Sequence, residues 1–236
     1  MFRSLRKEAQ TLKLILYRNL YARPKVQKDI VEGFHKLFYD ARLFGGTHGD
    51  TYWLGTPIYK CPMDLMAYQE IIFETKPDVI LETGTMDGGS AHFHSSMCDL
   101  VDHGEVITID IEHRDGRPQH DRLTYILGSS VADEIVEKVR ERIAGKERVL
   151  AILDSDHTKK HVTDELGVYA PMVTPGSYLI VEDTNMNGHP VAEEFGPGPM
   201  EAVEEFLKGT NDFEIDKTRE KFYLTFNPSG YLKRVR

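Results

Sequence analysis

In Ile80-Leu81-Glu82-Thr83-Gly84-Thr85-Met86-Asp87-Gly88-Gly89-Ser90 a hydrophobic strand pattern runs directly into a glycine-rich turn and then into a helix. Gly84 supplies the positive φ that a tight turn needs, and Gly88 and Gly89 are expected to let backbone approach a ligand with no Cβ in the way. A loop of this kind at the carboxyl end of a central strand aims helix N–H groups at whatever fills the crevice. The stretch therefore reads as a small-molecule binding loop. Its spacing is not G-x-G-x-x-G, because Thr85-Met86-Asp87 separates Gly84 from the glycine pair, and no Gly-Lys-Ser/Thr follows as in a phosphate-binding P-loop.

Strand patterns recur beyond this loop at residues 105–111, 123–127, 148–153 and 177–182, after a first one at 78–82, with helical stretches between them. The clearest helix is Val131 to Val139, with apolar residues at three- and four-residue steps. Strand and helix in alternation imply βαβ units and a mostly parallel sheet covered on both faces. The end departs from this. Phe213–Thr218 and Lys221–Phe226 are strand-like and joined through Arg219 and Glu220, too closely for a crossover helix, so a C-terminal antiparallel hairpin is predicted. The expected organisation is a basic helical extension over 1–50 followed by one α/β domain over 51–236.

Composition bounds the function. The chain has 236 residues, 40% hydrophobic, and a formal charge of −9, which argues against a nucleic-acid partner. Cys61 and Cys98 cannot make a disulfide framework and read as reduced thiols of a cytoplasmic protein. Residues 1–30 hold eight Lys/Arg against Glu8 and Asp29, leaving the remainder with 21 Lys/Arg against 36 Asp/Glu. Phe2, Leu5, Leu12, Leu16 and Leu20 give this basic segment an amphipathic helical pattern that stops at Pro24. It is expected to pack on its own domain or on another subunit of a homo-oligomer. The other reading is contact with a membrane surface, peripheral only, since Lys13 and Arg18 break the apolar run.

Two later strand ends carry carboxylates. Leu153 runs into Asp154-Ser155-Asp156-His157, and Val181 into Glu182-Asp183-Thr184-Asn185. Adjacent parallel strands would bring Asp154, Glu182 and Asp183 together, and their mutual repulsion calls for a cation. An all-oxygen set suits Mg2+ or Mn2+ better than zinc. His157 at the start of the next helix could take a proton from a hydroxyl held there, with Asp156 and then His189 as the other candidate bases. Asp110, 26 residues beyond Gly84, stands where a ribose-binding acid is expected, with Glu112 as competitor; Glu82 would edge the same crevice, and Ser129 and Ser130 would flank an adenine. The segment 184–199, with Asn185, Asn187 and His189, is long for a βα loop and reads as an acceptor-recognition lid. Tyr59, Lys60 and Asp64, from the stretch before the sheet, are candidates for closing the cofactor side, with Tyr59 and Lys60 also read as substrate contacts.

A parallel sheet finished by an antiparallel hairpin, with a glycine loop after its first strand, resembles the class I S-adenosylmethionine-dependent methyltransferases. A narrower resemblance rests on Tyr52-Trp53-Leu54-Gly55-Thr56-Pro57-Ile58-Tyr59-Lys60-Cys61-Pro62-Met63-Asp64-Leu65, on Tyr68-Gln69-Glu70, on the glycine loop, on both carboxylate strand ends, and on His189-Pro190 with Phe195 to Ala202. These are similar to the family named for cephalosporin hydroxylase, which includes macrolide-sugar and rhamnosyl O-methyltransferases. The resemblance covers about residues 50 to 230. It implies an S-adenosylmethionine- and Mg2+-dependent O-methyltransferase acting on a hydroxyl of a saccharide or glycosylated small molecule. By position it implies Asp154, Glu182 and Asp183 as metal ligands and His157 as general base. Non-haem iron hydroxylation fits less well, since it usually takes two histidines and one carboxylate and the cluster offers one histidine. Two alternatives stay open: a metal-dependent glycosyltransferase using Asp154-Ser155-Asp156, and a non-catalytic cofactor-binding module.

Overall fold

The computed structural model describes residues 2–39 and 48–236, with the side chains of 2–5 and 48, including Phe2 and Leu5 of the expected amphipathic pattern, outside the described set. Residues 40–47, in the expected extension, also lie outside it. Two helices lead, α1 (Phe2–Tyr21) and α2 (Pro24–Tyr39), and a two-residue ribbon follows, β1 (Tyr52–Trp53) with β2 (Thr56–Pro57). Then come α3 (Pro62–Thr75), β3 (Val79–Thr83), α4 (Gly89–Leu100), β4 (Glu105–Asp110), β5 (Leu123–Leu127), α5 (Asp133–Ile143) and β6 (Val149–Leu153). The chain ends with α6 (Lys159–Tyr169), β7 (Tyr178–Val181), α7 (Pro199–Gly209), β8 (Phe213–Ile215) and β9 (Tyr231–Arg234).

The seven-stranded sheet runs β5-β4-β3-β6-β7-β9-β8, parallel up to β7 and antiparallel in its last two pairings. β3, β6 and β7 are buried along their whole length, as strands covered on both faces must be. Alternate residues feed two cores. Val79, Leu81, Ile107, Ile109, Ala151 and Leu153 meet α5, α6 and α7 through Val139, Leu166 and Val203. Ile80, Val106, Leu150, Ile152 and Ile180 meet α3 and α4 through Ile71, Ile72, Ala91 and Phe93. From β3 the chain moves outward to β4 and β5, then returns to the other side of β3 as β6. That reversal opens a crevice at the carboxyl ends of β3 and β6, where ligands of open α/β sheets bind.

The hairpin forms with a different second strand. Phe213 pairs with Arg234 and Ile215 with Leu232, so the partner is β9 and not Lys221–Phe226. Asp216 caps a 3-10 turn over 217–220 by accepting from Thr218 N, and Tyr223 turns into the left-handed region, so pairing cannot start there. Lys221 to Phe226 instead runs as turns toward the carboxyl edge of the sheet.

The two N-terminal helices differ in their contacts. On α2, His35 is 3% exposed, stacks on Phe226 at 5.7 Å and meets Asn185 Nδ2 at 2.9 Å. On α1, Leu12, Leu14, Leu16 and Leu20 stand exposed, so the packing on its own domain expected of this helix is not formed by them. No helix among the described residues is long and apolar enough to cross a membrane.

Burial lowers the His35 pKa from 6.5 to about 4, so the folded protein keeps this imidazole neutral where the unfolded chain protonates it. The unfolded state then binds more protons, and stability falls as pH drops from 6.5 toward 4, by on the order of 3 kcal/mol in total at 1.36 kcal/mol per unit. Replacing His35 with Phe should flatten the melting temperature against pH over that window. An unchanged slope would place the acid sensitivity elsewhere.

Candidate active site

Three loops leave the sheet side by side at the crevice. Their first backbone bonds extend the strand ladders by one step: Gly84 N donates to Ile109 O (2.8 Å), Asp154 N to Thr83 O (3.1 Å), and Glu182 N to Leu153 O (3.0 Å). Gly84 has φ +84°, and a Cβ there would lie 1.9 Å from the Asp154 carbonyl oxygen. The glycine is required because the loops after β3 and β6 touch backbone to backbone. Gly89 serves a further contact. The space of its missing Cβ is taken by Pro57 O at 2.0 Å, so it admits the strand-like segment before α3. Gly88, at φ +83°, starts α4 under Pro118 and Tyr125.

A cavity of about 660 Å³ opens over these loops. Of the residues singled out from sequence, Gly84, Gly89, Ser90, Asp110, Ser129, Asp154, Asp156, His157, Glu182, Asp183, Tyr59 and Lys60 line it. Glu82, Gly88, Asn185 and His189 do not. Glu82 lies fully buried beneath the floor, accepting from Thr108 Oγ1 (2.6 Å), and burial raises its pKa to about 7. Asn185 is fully buried against His35, and His189 is held by Glu201 at 2.9 Å. No residue of 184–199 lines the cavity, so the segment expected to be a lid lies to one side of it.

On the cofactor side, Asp110 Oδ2 accepts from Thr85 N (3.2 Å), Met86 N (2.8 Å) and Arg117 (2.8 Å), which fixes the glycine loop to the end of β4. Tyr59 reaches across the loop to Asp87 at 2.8 Å, and Arg114 approaches Asp87 from the opposite side.

On the carboxylate side, ligand atoms of Asp154, His157 and Asp183 lie within 4.8 Å of one another, the geometry of a cation site. His157 Nε2 is 3.3 Å from Asp183 Oδ2. Glu182, expected in this trio, points inward and is 3% exposed. Its Oε1 accepts from Tyr68 (2.8 Å) and its Oε2 from Lys60 (2.6 Å), and burial with the Asp154 charge raises its pKa to about 7. Lys60 also donates to Asp154. Burial works against the lysine's charge, but Asp154 and Glu182 outweigh it and hold its pKa above the ordinary value. Burial likewise raises the Asp154 pKa, against the lowering by Lys60 and His157. Asp156 is an exposed turn residue whose Oδ1 accepts Thr158 N (2.8 Å); that bond is the main cause of its lowered pKa.

Some site residues carried no readable signal. Tyr68 and Asn227 support the cluster from 114 and 44 residues away, with Asn227 Nδ2 donating to Tyr68 Oη (2.8 Å) and its Oδ1 accepting Asp183 N (3.1 Å). Tyr39 and Phe226 line the cavity's outer wall. Tyr68 stood within the motif that carried the family resemblance and Phe226 within the run read as a strand, neither of which pointed to the site; Tyr39 and Asn227 fell in no motif.

A seven-stranded sheet of this order, with a glycine loop and an acidic residue at the next strand end, defines the class I methyltransferase fold. Solved structures of that fold align with it. An apo structure of CmcI covers 80% of this chain and 77% of its own at TM-score 0.61 and 20% identity, and a CmcI structure described as Mg-SAM aligns at 0.60 and 20%. The MycE methyltransferase of mycinamycin biosynthesis, in complex with Mg, SAH and mycinamycin VI, aligns at TM-score 0.52 and 19% identity over 72% of this chain and 48% of its own. At these identities the likeness establishes the fold.

Within that class the chain belongs to the rhamnosyl O-methyltransferase/CmcI family, whose model matches residues 46–235, and it is an O-methyltransferase by that membership. A rhamnosyl O-methyltransferase of Mycobacterium leprae (strain TN) is 38% identical over 213 residues, covering 87% of this chain and 90% of that protein. Its counterpart in Mycobacterium tuberculosis (strain ATCC 25618 / H37Rv) is 37% identical over 214 residues, covering 87% and 85%.

Gly84→Ala tests the loop contact. Positive φ and the close approach to Asp154 together should cost on the order of 3 kcal/mol. A fall in melting temperature with weakened S-adenosylmethionine binding is expected in calorimetry, and wild-type values for both would show that the loops can separate.

Proposed function

We propose that this protein transfers the methyl group of S-adenosylmethionine to a hydroxyl of a sugar, within a glycoside or glycosylated small molecule, at a site holding a divalent metal ion. The observation that carries this reading is the convergence of Asp154, His157 and Asp183 at one wall of a cavity whose other wall is the glycine loop. The carboxylates of Asp154 and Asp183, with Glu182 behind them, offer the oxygen donors that fit a hard divalent cation such as Mg2+ or Mn2+, and leave His157 beside them free to act as base. The rhamnosyl acceptor of the mycobacterial relatives supports a sugar hydroxyl, and the Mg2+ and cofactor of the solved relatives support both ligands.

In this reading Gly84, Ser90 and Ser129 border the cofactor, and Asp110, besides holding the loop, receives the ribose hydroxyls. Asp154 and Asp183 would hold a cation, whose charge would lower the pKa of an acceptor hydroxyl placed beside it. Asp183 Oδ2, 3.3 Å from His157 Nε2, would orient the imidazole, and the other ring nitrogen, Nδ1, would take the hydroxyl proton. Tyr59, Tyr39 and Phe226 shape the space around the acceptor. The glycosyltransferase alternative needs Asp154 and Asp156 on one metal, but Asp156 is engaged at the helix start and outside the cluster. A binding-only module has no use for a histidine poised beside carboxylates.

His157→Gln should lower kcat by about 10²–10⁴-fold with little change in cofactor affinity. EDTA should abolish methyl transfer to a rhamnoside, and Mg2+ should restore it. Full activity in EDTA would make the carboxylate cluster structural.

The exposed Leu12, Leu16 and Leu20 of α1, among basic residues, support a cytoplasmic homo-oligomer in which this helix contacts the acidic body of another copy. Leu12→Glu with Leu16→Glu should then reduce the sedimentation coefficient. Unchanged assembly together with co-sedimentation of the wild type on anionic vesicles would assign α1 to a membrane surface.

A further inference from the structure

The cavity has a polar end that the methyl-transfer chemistry leaves unused. With the reacting groups at Asp154, His157 and Asp183 and the ribose at Asp110, a nucleoside cofactor extends past β4 toward β5. Gly128, Ser129, Ser130, Ser155 and His161 line that end of the wall. Behind them lies Glu165 of α6, fully buried and outside the cavity lining. Its Oε1 accepts from Ser130 Oγ (2.6 Å), after β5, and from Ser155 Oγ (2.7 Å), after β6. The same oxygen lies 3.4 Å from Nε2 of His161, one helical turn earlier. Glu165 Oε2 is buried without a partner among the described residues, so the carboxylate acts through Oε1 alone. Tyr169 Oη donates to Ser130 O (2.8 Å) and fixes the serine from its backbone side.

These bonds decide the tautomer of His161. Ser130 Oγ gives its only proton to Glu165, and the carboxylate oxygen has none to give. His161 Nε2, 3.3 Å from the hydroxyl and 3.4 Å from the carboxylate, therefore meets them as an N–H donor. In the neutral ring Nδ1 is then an acceptor. No described residue hydrogen-bonds Nδ1, and the ring lines the cavity with its side chain 23% exposed. The protons of Ser130 and Ser155 are committed inward, which leaves this end of the cavity with an imidazole acceptor. Adenine carries an amino donor at C6, whereas hypoxanthine carries a carbonyl oxygen there. We propose that His161 reads the purine of the cofactor by accepting from the adenine amino group, with Glu165 as the positioning residue that holds the ring in the required tautomer. The proposal rests on the cofactor reading above and adds the residue that selects the base.

The hydrogen bond to Glu165 holds the His161 pKa above its ordinary value, so the measurements belong at alkaline pH, where the ring is neutral. The paired probes are S-adenosylhomocysteine and S-inosylhomocysteine, and their dissociation constants are read by calorimetry with no acceptor and no turnover. Wild type should bind the adenine form about tenfold more tightly or better, since the inosine form sets two acceptors against each other. His161→Phe should bring the two affinities to within about threefold of each other, chiefly by weakening the adenine form. His161→Gln can turn either its amide oxygen or its amide nitrogen to C6, so it should bind the inosine form better than wild type does. Glu165→Met should narrow the ratio as well, a change that lost packing alone would not make. Heteronuclear NMR of the wild-type imidazole nitrogens should find the proton on Nε2. If wild type binds neither probe, the cofactor reading fails. If wild type binds S-adenosylhomocysteine without preferring it, if His161→Phe keeps the preference, or if the proton resides on Nδ1, the role of His161 is overturned. His161 stands on the cavity wall, so its variants should fold even where Glu165→Met does not, and the ratio they give decides.

Discussion

The contact between Gly84 and the carbonyl of Asp154 is the constraint from which the site's geometry follows. β3 and β6 are parallel neighbours in register, Thr83 opposite Leu153, so both chains leave the sheet at the same edge. For the loops to remain adjacent beyond that edge, one must lack a side chain, and the hydrogen bond from Asp154 N to Thr83 O then holds them together. The equivalent bonds from Gly84 to Ile109 and from Glu182 to Leu153 carry the arrangement across four strands. A cofactor loop and a carboxylate loop positioned this way share one backbone framework, and their separation does not depend on side-chain rotamers. Preorganisation of this kind is what a transfer between two bound reactants requires.

Bringing the loops together concentrates negative charge in a region with little water. Asp154, Glu182, Glu82 and Asp64 all have pKa values raised by burial. The donors that offset this come from α3 with the turn before it and from the C-terminal segment: Lys60, Tyr68, Asn227, Tyr231 and the backbone N–H of Phe226. The course of residues 221–230 follows from the same demand. A strand there would commit its backbone groups to a sheet edge; as turns, it supplies Phe226 N to Asp64 and Asn227 Oδ1 to Asp183 N.

This explains which parts were legible in the sequence. The five parallel strands were read to within one residue because β3, β6 and β7, buried on both faces, are rich in Val, Ile and Leu, and β4 and the half-exposed edge strand β5 keep enough β-branched and aromatic residues to stand out locally. Asp154, His157 and Asp183 were legible because they follow such strands directly. Glu182 follows its strand just as directly, yet its orientation depends on Lys60 and Tyr68, more than 110 residues distant, which no pattern near position 182 reveals. The second hairpin strand was misplaced for the same reason: Lys221–Phe226 has the apolar alternation of a strand, but Asp216 and polar partners on α3 determine its path. For Gly89, sequence shows that a Cβ is missing without showing that the Pro57 carbonyl occupies the space.

The two halves of the cavity are consequently built by different means. The cofactor half consists of strand-end loops joined by backbone hydrogen bonds, which few substitutions can alter without disturbing the sheet. The outer wall is made of Tyr39 from α2 and Phe226, whose rings meet edge to face at 4.9 Å, with His35 stacked behind them. Those contacts are between side chains of segments remote in sequence, and Asn185 anchors them to the loop after β7, through its Nδ2 against His35 and through its backbone N–H, which donates to Phe226 O (3.1 Å). The two halves are nevertheless joined: Phe226 adjoins Asn227, whose Oδ1 accepts Asp183 N, and Phe226 N itself donates to Asp64, so the outer wall and the carboxylate loop share one C-terminal segment even though the wall's rings are held by side-chain contacts.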